Sequence, residues 1–145
     1  MTRINSNIKV RELTDEHLLA EHREIKRLPS CLRKSIQCNS IKNIPNEFTL
    51  GTGHVKFFLD KQKFIYDRYK EIHEELLRRK FNIEDYSDNW KDIINSEYFN
   101  NYVPTIEERN LLKERITNRI HESTKKSWHY YKQIITKTKA INLLD

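Results

Sequence analysis

The longest stretch of regularly spaced hydrophobic residues runs from His54 to about Lys80. Apolar residues recur in it every three or four positions, at Val55, Phe58, Ile65, Tyr69, Ile72 and Leu76. This spacing puts their side chains on one face of an α-helix, which buries that face in a core. The sequence therefore predicts a central helix of roughly seven turns.

A second stretch of helical spacing spans Asp15 to Arg27, near the start of the chain. Its apolar stripe consists of Leu18, Ile25 and Leu28. Thr14 is suited to cap this helix, because a threonine side chain just before the first turn can accept a hydrogen bond from an unpaired backbone N–H. Pro29 is expected to end the helix or to kink it.

A third helix is predicted to start after Pro104 and to fade near Glu122. Thr105 and Glu108 form a capping box at its start, in which each side chain can satisfy a backbone N–H of the other residue. Its apolar stripe consists of Leu112, Ile116 and Ile120. A shorter helix is predicted at Asn89–Asn95, within an otherwise mixed segment.

No alternation of apolar and polar residues predicts a strand anywhere in the chain. We therefore expect an all-α fold, a single compact domain of three main helices with long connecting loops. The chain of 145 residues has the length of one domain, residues 1–145. Residues 132–145, first basic and then apolar, are expected to form a partly ordered tail or to dock onto the domain.

The net charge of +6 favours a polyanionic partner, of which nucleic acid is the commonest. Many soluble domains are mildly basic without such a partner, so the charge alone does not decide the function. No apolar run approaches the length of a membrane span, and no hydrophobic signal segment follows Met1. We expect an intracellular protein that is not secreted and does not bind a membrane.

The sequence predicts neither a disulfide framework nor a metal site. Cys31 and Cys38 are the only cysteines, and no pair of cysteines or histidines has the spacing of a zinc site. His17, Glu21 and Glu24 share one helix face and are the best alternative set of metal ligands, but an open metal site usually needs a further ligand. We expect no metal and no cofactor.

Two groups near the start of the chain have the chemistry of a nucleophile and a proton acceptor. Glu24 falls at the edge of the apolar stripe of the first helix, beside His17. Removal of Met1 before the small residue Thr2 would expose an α-amino group, whose pKa of about 7.7–8.0 leaves roughly a tenth of it neutral at pH 7. A neutral amine attacks an aldehyde-like carbon to give a Schiff base, and a nearby carboxylate can then move protons.

Several motifs resemble those of the phage pyrimidine-dimer DNA glycosylase/AP lyase family, also called ultraviolet-repair endonuclease V. They are MTRIN at residues 1–5, HLLAEHREIKR at His17–Arg27, LGTGHVKFFLDK at Leu50–Lys61 and FNI at residues 81–83. Weaker similarity returns at Tyr102-Val103-Pro104 and in the aromatic cluster Trp128–Tyr131. The order of these motifs is specific, although they cover only about half of the chain.

The resemblance implies a repair enzyme that acts on cyclobutane pyrimidine dimers in damaged double-stranded DNA, as a monomer and without a metal. The family's nucleophilic N-terminal amine matches Thr2, and its helical acid/base matches Glu24. The DNA-contacting positions it implies are Arg3, Arg23, Arg27, His17, Arg115, Arg119, Trp128, Tyr130 and Tyr131. For Arg115 and Arg119 a solvated basic face is an equal alternative, and the three aromatic residues could instead bury the N-terminus.

The sequence departs from the family at Lys26, where proline is typical, and at His22, where an aromatic residue is usual. Neither change touches Thr2 or Glu24, so they bear on lesion preference rather than on mechanism. Two alternatives stay open. The chain could be a helical nucleic-acid-binding module without activity, or an interaction protein that assembles through its central helix.

Overall fold

A computed structural model describes residues 3–144. In this part of the chain the α-helices are α1 Asp15–Ile25, α2 Arg27–Gln37, α3 His54–Phe58, α4 Gln62–Arg78, α5 Ile106–Glu122 and α6 Lys137–Asn142. Single turns of 3₁₀-helix cover Val10–Glu12 and Ser87–Trp90, and two short strands are β1 Trp128–Tyr130 and β2 Gln133–Ile135. Within residues 3–144 every helix is too short or too polar to cross a bilayer.

The fold is mostly helical, as predicted, but it is not strictly all-α, because it contains one small two-stranded sheet. Strands β1 and β2 pair antiparallel, with Trp128 opposite Ile135 and Tyr130 opposite Gln133. The two residues of the turn have positive φ angles, 52° at Tyr131 and 67° at Lys132. Such turns usually carry Asn or Gly, and strands of three residues are too short to show alternation, so the sequence contains no hairpin pattern.

Two of the predicted helices differ from the prediction, the one at Asp15–Arg27 in where it ends and the central one in its continuity. The first ends at Ile25, and α2 begins at Arg27 with Pro29 in its first turn, where the missing N–H of proline costs no helical hydrogen bond. The central helix is interrupted between α3 and α4 because Lys61 leaves the helical region, with φ −121° and ψ 40°. The N–H of Gln62 then donates to the carbonyl of Tyr98, outside the helix.

The third predicted helix begins and ends as expected. The Thr105 side chain accepts a hydrogen bond from the N–H of Glu108 at 3.2 Å, and the helix ends at Glu122. Its apolar stripe of Leu112, Ile116 and Ile120 is fully buried. At the predicted short helix of residues 89–95 the structure has a 3₁₀ turn that starts earlier, at Ser87, and that buries Trp90.

One main core joins the helices to the hairpin. Helices α1 and α4 pack together in its centre, and α5 closes one side. The C-terminal segment adds to the same core through Trp128, Ile135, Ala140 and Leu144. The hairpin and α6 are therefore docked on the helical body.

Residues 3–12, called here the N-terminal segment, are largely irregular, and buried charged side chains hold them against the helices. Glu21 of α1 accepts two hydrogen bonds from the Arg68 guanidinium, at 2.9 and 3.0 Å. It also accepts the backbone N–H and the side-chain amide of Asn5, at 3.3 and 3.0 Å. Arg68 in turn donates to the carbonyl of Ile8. One buried ion pair thus fixes two points of the segment.

A second buried ion network joins the start of α1 to the end of α4 and to the hairpin. Arg79 is fully buried and pairs with Glu75 at 2.9 Å and with Asp15 at 3.0 Å. The Asp15 carboxylate also accepts the backbone N–H groups of Tyr131 and Lys132, at 3.1 and 2.7 Å. These hydrogen bonds stabilise the two turn residues whose φ angles are positive.

Three histidines make the stability of the fold sensitive to acid. Burial lowers the pKa of His17, His22 and His54 to about 4, whereas an unfolded histidine has a pKa near 6.5. Between these values the unfolded chain binds protons that the folded chain excludes. Stability is therefore full above about pH 6.5 and falls as the pH drops towards 4.

We predict that the free energy of unfolding falls between pH 7 and pH 5 by an order of 1 to 2 kcal/mol for each of these histidines. Urea unfolding at both pH values measures the difference. His22→Gln should reduce it, whereas His121→Gln, at an exposed position of α5, should leave it unchanged. If the free energy of unfolding stays constant down to pH 5, the three histidines are not held neutral by the fold.

Candidate active site

A cavity of about 140 Å³ lies between the N-terminal segment, α1 and α5. Its walls combine cationic, acidic and small side chains from these three elements. They are Arg3, Asn5, His17, Ala20, Glu21, Glu24, Arg115, Ile116 and Arg119. Five of the eleven residues that the sequence predicted to act on DNA lie in this cavity.

Helical spacing explains how α1 presents its part of the wall. His17, Glu21 and Glu24 follow one another at intervals of three or four residues, so they lie along one edge of the helix. The Thr14 side chain caps this helix by accepting from the N–H of His17 at 3.2 Å. Arg115 and Arg119 are four residues apart on α5 and face the same cavity.

The two carboxylates of the cavity differ in how they are engaged. The side chain of Glu21 is 1% exposed and is bound to Arg68. The side chain of Glu24 is 27% exposed and forms an ion pair at 3.0 Å with Arg27, itself 57% exposed. A surface ion pair of this kind is weak and easily exchanged. Glu24 is therefore the more accessible of the two carboxylates, whereas Glu21 is buried in its ion pair with Arg68.

Three guanidinium groups, Arg3, Arg115 and Arg119, face the cavity and are called here the arginine cluster. Burial and the neighbouring charges of Arg119 and Arg3 lower the pKa of Arg115 to about 10. Burial and Arg119 also lower the pKa of Arg3. Arg115 donates to the Asn5 side-chain oxygen at 2.8 Å, but its buried Nε has no hydrogen-bond partner within residues 3–144. An anion in the cavity would relieve this repulsion and supply acceptors.

His17 lies beside the arginine cluster as a neutral ring. Burial, followed by the charge of Arg115, lowers its pKa to about 4. The ring stacks on Trp128, with centroids 5.2 Å apart and planes 11° apart, and its Nδ1 lies 2.9 Å from the Thr14 hydroxyl. Trp128, on β1, thus supports one wall of the cavity from behind.

The structure brings together Arg3, His17, Glu24, Arg115 and Arg119 of the predicted site residues. Arg27 adjoins them through its pair with Glu24, and Trp128 through its stack on His17. Thr2, the predicted nucleophile, lies outside the described residues.

Three other predicted contacts do not line the cavity. Arg23 is exposed on the outer face of α1. Tyr130 donates its hydroxyl to the carbonyl of Arg11, and Tyr131 donates to the Glu75 carboxylate. Both rings also lie within 5 Å of the Arg79 guanidinium carbon, at 4.7 and 4.8 Å. They therefore hold the hairpin on the helical body.

Sequence reasoning missed Asn5, which binds both Glu21 and Arg115 and so links α1 to α5. Its position within MTRIN was the available indication. Among residues 3–144 no three His, Cys, Asp or Glu side chains are grouped closely enough to hold a metal ion. The set of His17, Glu21 and Glu24 thus has no metal-binding geometry, since Glu21 is turned to Arg68.

A comparison with protein families agrees with the motifs noted in the sequence. The family described as pyrimidine dimer DNA glycosylase matches residues 1–92, which is more than half of the chain. The match spans the N-terminal segment and α1 to α4, whereas α5 and the hairpin lie beyond it. Together with the cavity that joins Arg3 to Glu24, it shows that the chain belongs to the pyrimidine dimer DNA glycosylase family.

Proposed function

We propose that this protein is a bifunctional DNA glycosylase and AP lyase that acts on cyclobutane pyrimidine dimers in duplex DNA. The observation that carries the proposal is the cavity in which Glu24 faces the arginine cluster. Arg3, which is bonded directly to Thr2, forms part of its wall. The cavity thus contains a cluster of cationic side chains, a partly exposed carboxylate and the residue that follows Thr2 in the sequence.

The proposed reaction begins with the α-amino group of Thr2 after Met1 has been removed. The neutral amine forms a bond to the sugar C1′, and the glycosidic bond breaks as the base leaves with the bonding electrons and takes up a proton. Opening of the sugar ring then gives an imine between Thr2 and C1′. Water can later hydrolyse this imine and regenerate the amine.

Glu24 acts in the second half of the reaction as a general base. The imine makes a C2′ proton acidic, and the Glu24 carboxylate removes it. The electrons left at C2′ form a double bond to C3′, and the bond from C3′ to the phosphate oxygen breaks. This β-elimination cleaves the strand and needs no metal ion. Before it accepts the proton, the carboxylate also stabilises the positive charge of the imine.

The arginine cluster holds the phosphates of the damaged strand at the cavity. Three like charges in a partly buried site lose solvation, and phosphate oxygens restore both charge balance and hydrogen bonds. Arg23 on α1 and Arg27 at the start of α2 are both exposed and extend the basic surface beyond the cavity. Neutral His17 adds no charge to the cluster and can accept or donate a hydrogen bond there.

The hairpin contributes mainly by support. Trp128 fixes His17, and Tyr130 and Tyr131 fix the turn against Arg79. Tyr131 remains 38% exposed, so part of its side chain can contact a DNA strand that follows the basic surface. Stacking of a base on such an aromatic side chain is worth about 1 to 3 kcal/mol.

We predict that borohydride traps a covalent adduct between an abasic-site duplex and Thr2, because reduction converts the proposed imine to a stable amine. Peptide mapping identifies the attached residue. One residue inserted before Thr2 should abolish the adduct, whereas Thr2→Ser retains the amine and should trap. Undiminished trapping after the insertion, or an adduct at an internal lysine, would contradict the nucleophile. Salt-dependent binding with no adduct at all would favour a binding module without activity.

We predict that Glu24→Gln lowers strand cleavage by roughly 10²-fold or more, the usual scale of a lost general base. DNA binding should persist or tighten, because a negative charge that faces phosphate is gone. Glu21→Gln is the matched control. It leaves Arg68 buried without a full partner and should cost about 3 kcal/mol of stability, with a smaller loss of cleavage.

Nicking of lesion duplex, gel-shift affinity and urea unfolding distinguish the two variants. A Glu24→Gln variant that cleaves at the parent rate, together with an inactive but folded Glu21→Gln variant, would transfer the acid/base role to Glu21.

We predict that Arg119→Ala, Arg23→Ala and Arg27→Ala each weaken binding to lesion and undamaged duplex alike. In each variant the slope of log affinity against log salt concentration should become less steep by about 0.9 for every phosphate that is no longer bound. Arg33→Ala is the control of equal charge, since Arg33 pairs with Asp92 and does not line the cavity. A salt slope that is unchanged in the three variants, or equally changed in the control, would show that these arginines do not bind phosphate.

A further inference from the structure

His54 makes a direct hydrogen bond to the N-terminal segment. The backbone N–H of Ile4 donates to His54 Nε2 at 2.9 Å, and His54 Nδ1 lies 2.8 Å from the carbonyl oxygen of Thr49. An amide N–H can only donate and a carbonyl oxygen can only accept. The two partners therefore require a neutral ring whose proton is on Nδ1 and whose Nε2 presents a lone pair to Ile4.

The surroundings of His54 keep this ring in one orientation. It is 1% exposed and makes edge contacts with Phe48 and Phe58, at 5.5 and 5.4 Å between ring centroids. Gly53, just before it, has a φ of 97°, which a residue with a side chain rarely adopts. The chain can therefore turn into α3 with the imidazole aimed at the N-terminal segment.

We propose that His54 is a positioning residue for the Thr2 amine, because it fixes the backbone at Ile4, two residues further along the chain. This inference rests on the proposed function. The Ile4 side chain is fully buried. The hydrogen bond and the buried side chain together fix the position and the orientation of the backbone at Ile4. The covalent path from Ile4 to the amine then passes through the backbone of Arg3 and of Thr2 itself.

The charges around His54 are consistent with a permanently neutral ring. Burial lowers its pKa to about 4, and the cations Arg3 of the N-terminal segment and Arg115 of α5 act in the same direction. Glu21 of α1 opposes them with a smaller effect. A protonated Nε2 would lose its lone pair and repel both arginines, so the bond to Ile4 persists at neutral pH.

Two amide substitutions separate the contact to Ile4 from the contact to Thr49. The shorter side chain of His54→Asn can donate from near the Nδ1 position but does not reach Ile4. The longer side chain of His54→Gln can place its carbonyl oxygen near the Nε2 position. His54→Asn should therefore lose the Ile4 bond, and His54→Gln should largely keep it. His121→Gln is the surface control.

The experiment measures single-turnover borohydride trapping on abasic-site duplex with protein in excess, and gel-shift affinity separately. His54→Asn should trap about 10- to 100-fold more slowly, since a displacement near 1 Å can cost about 10²-fold in rate. Its DNA affinity should fall far less than the trapping rate, because Arg3 is the one proposed phosphate ligand that adjoins Ile4, and the other arginines keep their places. His54→Gln should restore most of the rate. The Ile4 amide should exchange with solvent faster in His54→Asn alone.

An ester in place of the amide between Arg3 and Ile4 gives a second measurement that leaves the core untouched. Cys31 permits ligation of a synthetic peptide of residues 2–30 to residues 31–145, which rebuilds the full chain. The ester lacks the N–H group that donates a hydrogen bond to His54. It should therefore slow trapping as His54→Asn does. This arm decides the question if His54→Asn fails to fold.

The outcomes separate this proposal from the proposed function. A parent protein that forms no adduct at Thr2 overturns the proposed nucleophile and the role of His54 with it. A parent that traps normally, with the ester or a folded His54→Asn equally fast, overturns the role of His54 alone. Equal slowing by His54→Asn and His54→Gln, or a slower rate that a weaker DNA affinity fully explains, would also overturn it.

Discussion

The hydrogen bonding of the N-terminal segment is the constraint on which the rest of this structure depends. A largely irregular segment that is buried must find partners for its backbone groups outside regular structure, because an unpaired buried N–H or carbonyl is costly. Here the partners are charged or polar side chains from the helices. His54 binds Ile4, Glu21 binds Asn5, and Arg68 binds Ile8. Further along, Arg109 holds the carbonyl of Asn7, and Arg79 those of Val10 and Leu13.

Each of these side chains also belongs to a helix or lies beside one, and the contact between Glu21 and Asn5 forms part of the cavity wall. Glu21 cannot serve as a free carboxylate because it joins Arg68 to Asn5. Glu24, one turn further along α1, is the more exposed of the two carboxylates and is therefore the one proposed to act in chemistry. The buried ion pairs add little net stability against an apolar core, but removal of one partner would leave a buried charge. They therefore specify where the segment lies more than they stabilise the fold.

Local patterns predicted the parts of the fold that short-range chemistry decides. The Thr14 and Thr105 caps, the stripe of α5 and the face of α1 that carries His17 and Glu24 follow from side-chain spacing alone. The hairpin could not be predicted, because its turn depends on the distant Asp15 carboxylate rather than on glycine or asparagine. The break before α4 depends likewise on the carbonyl of Tyr98. For the site, motifs indicated Arg3 and Glu24, whereas the role of Glu21 required its partner Arg68, 47 residues away.

The contacts that fix the N-terminal segment also hold the arginine cluster together, although its like charges repel one another. Burial, and after it mutual repulsion, raises the free energy of the charged forms of Arg3 and Arg115, and the pKa values of both groups are lowered for these reasons. A flexible surface would relax by turning these side chains into water. Here Arg3 is held by the fixed N-terminal segment, and Arg115 is tied to Asn5. Under the proposed function, a phosphate bound to these arginines relieves the repulsion and lies next to Arg3, the residue that follows the proposed nucleophile Thr2.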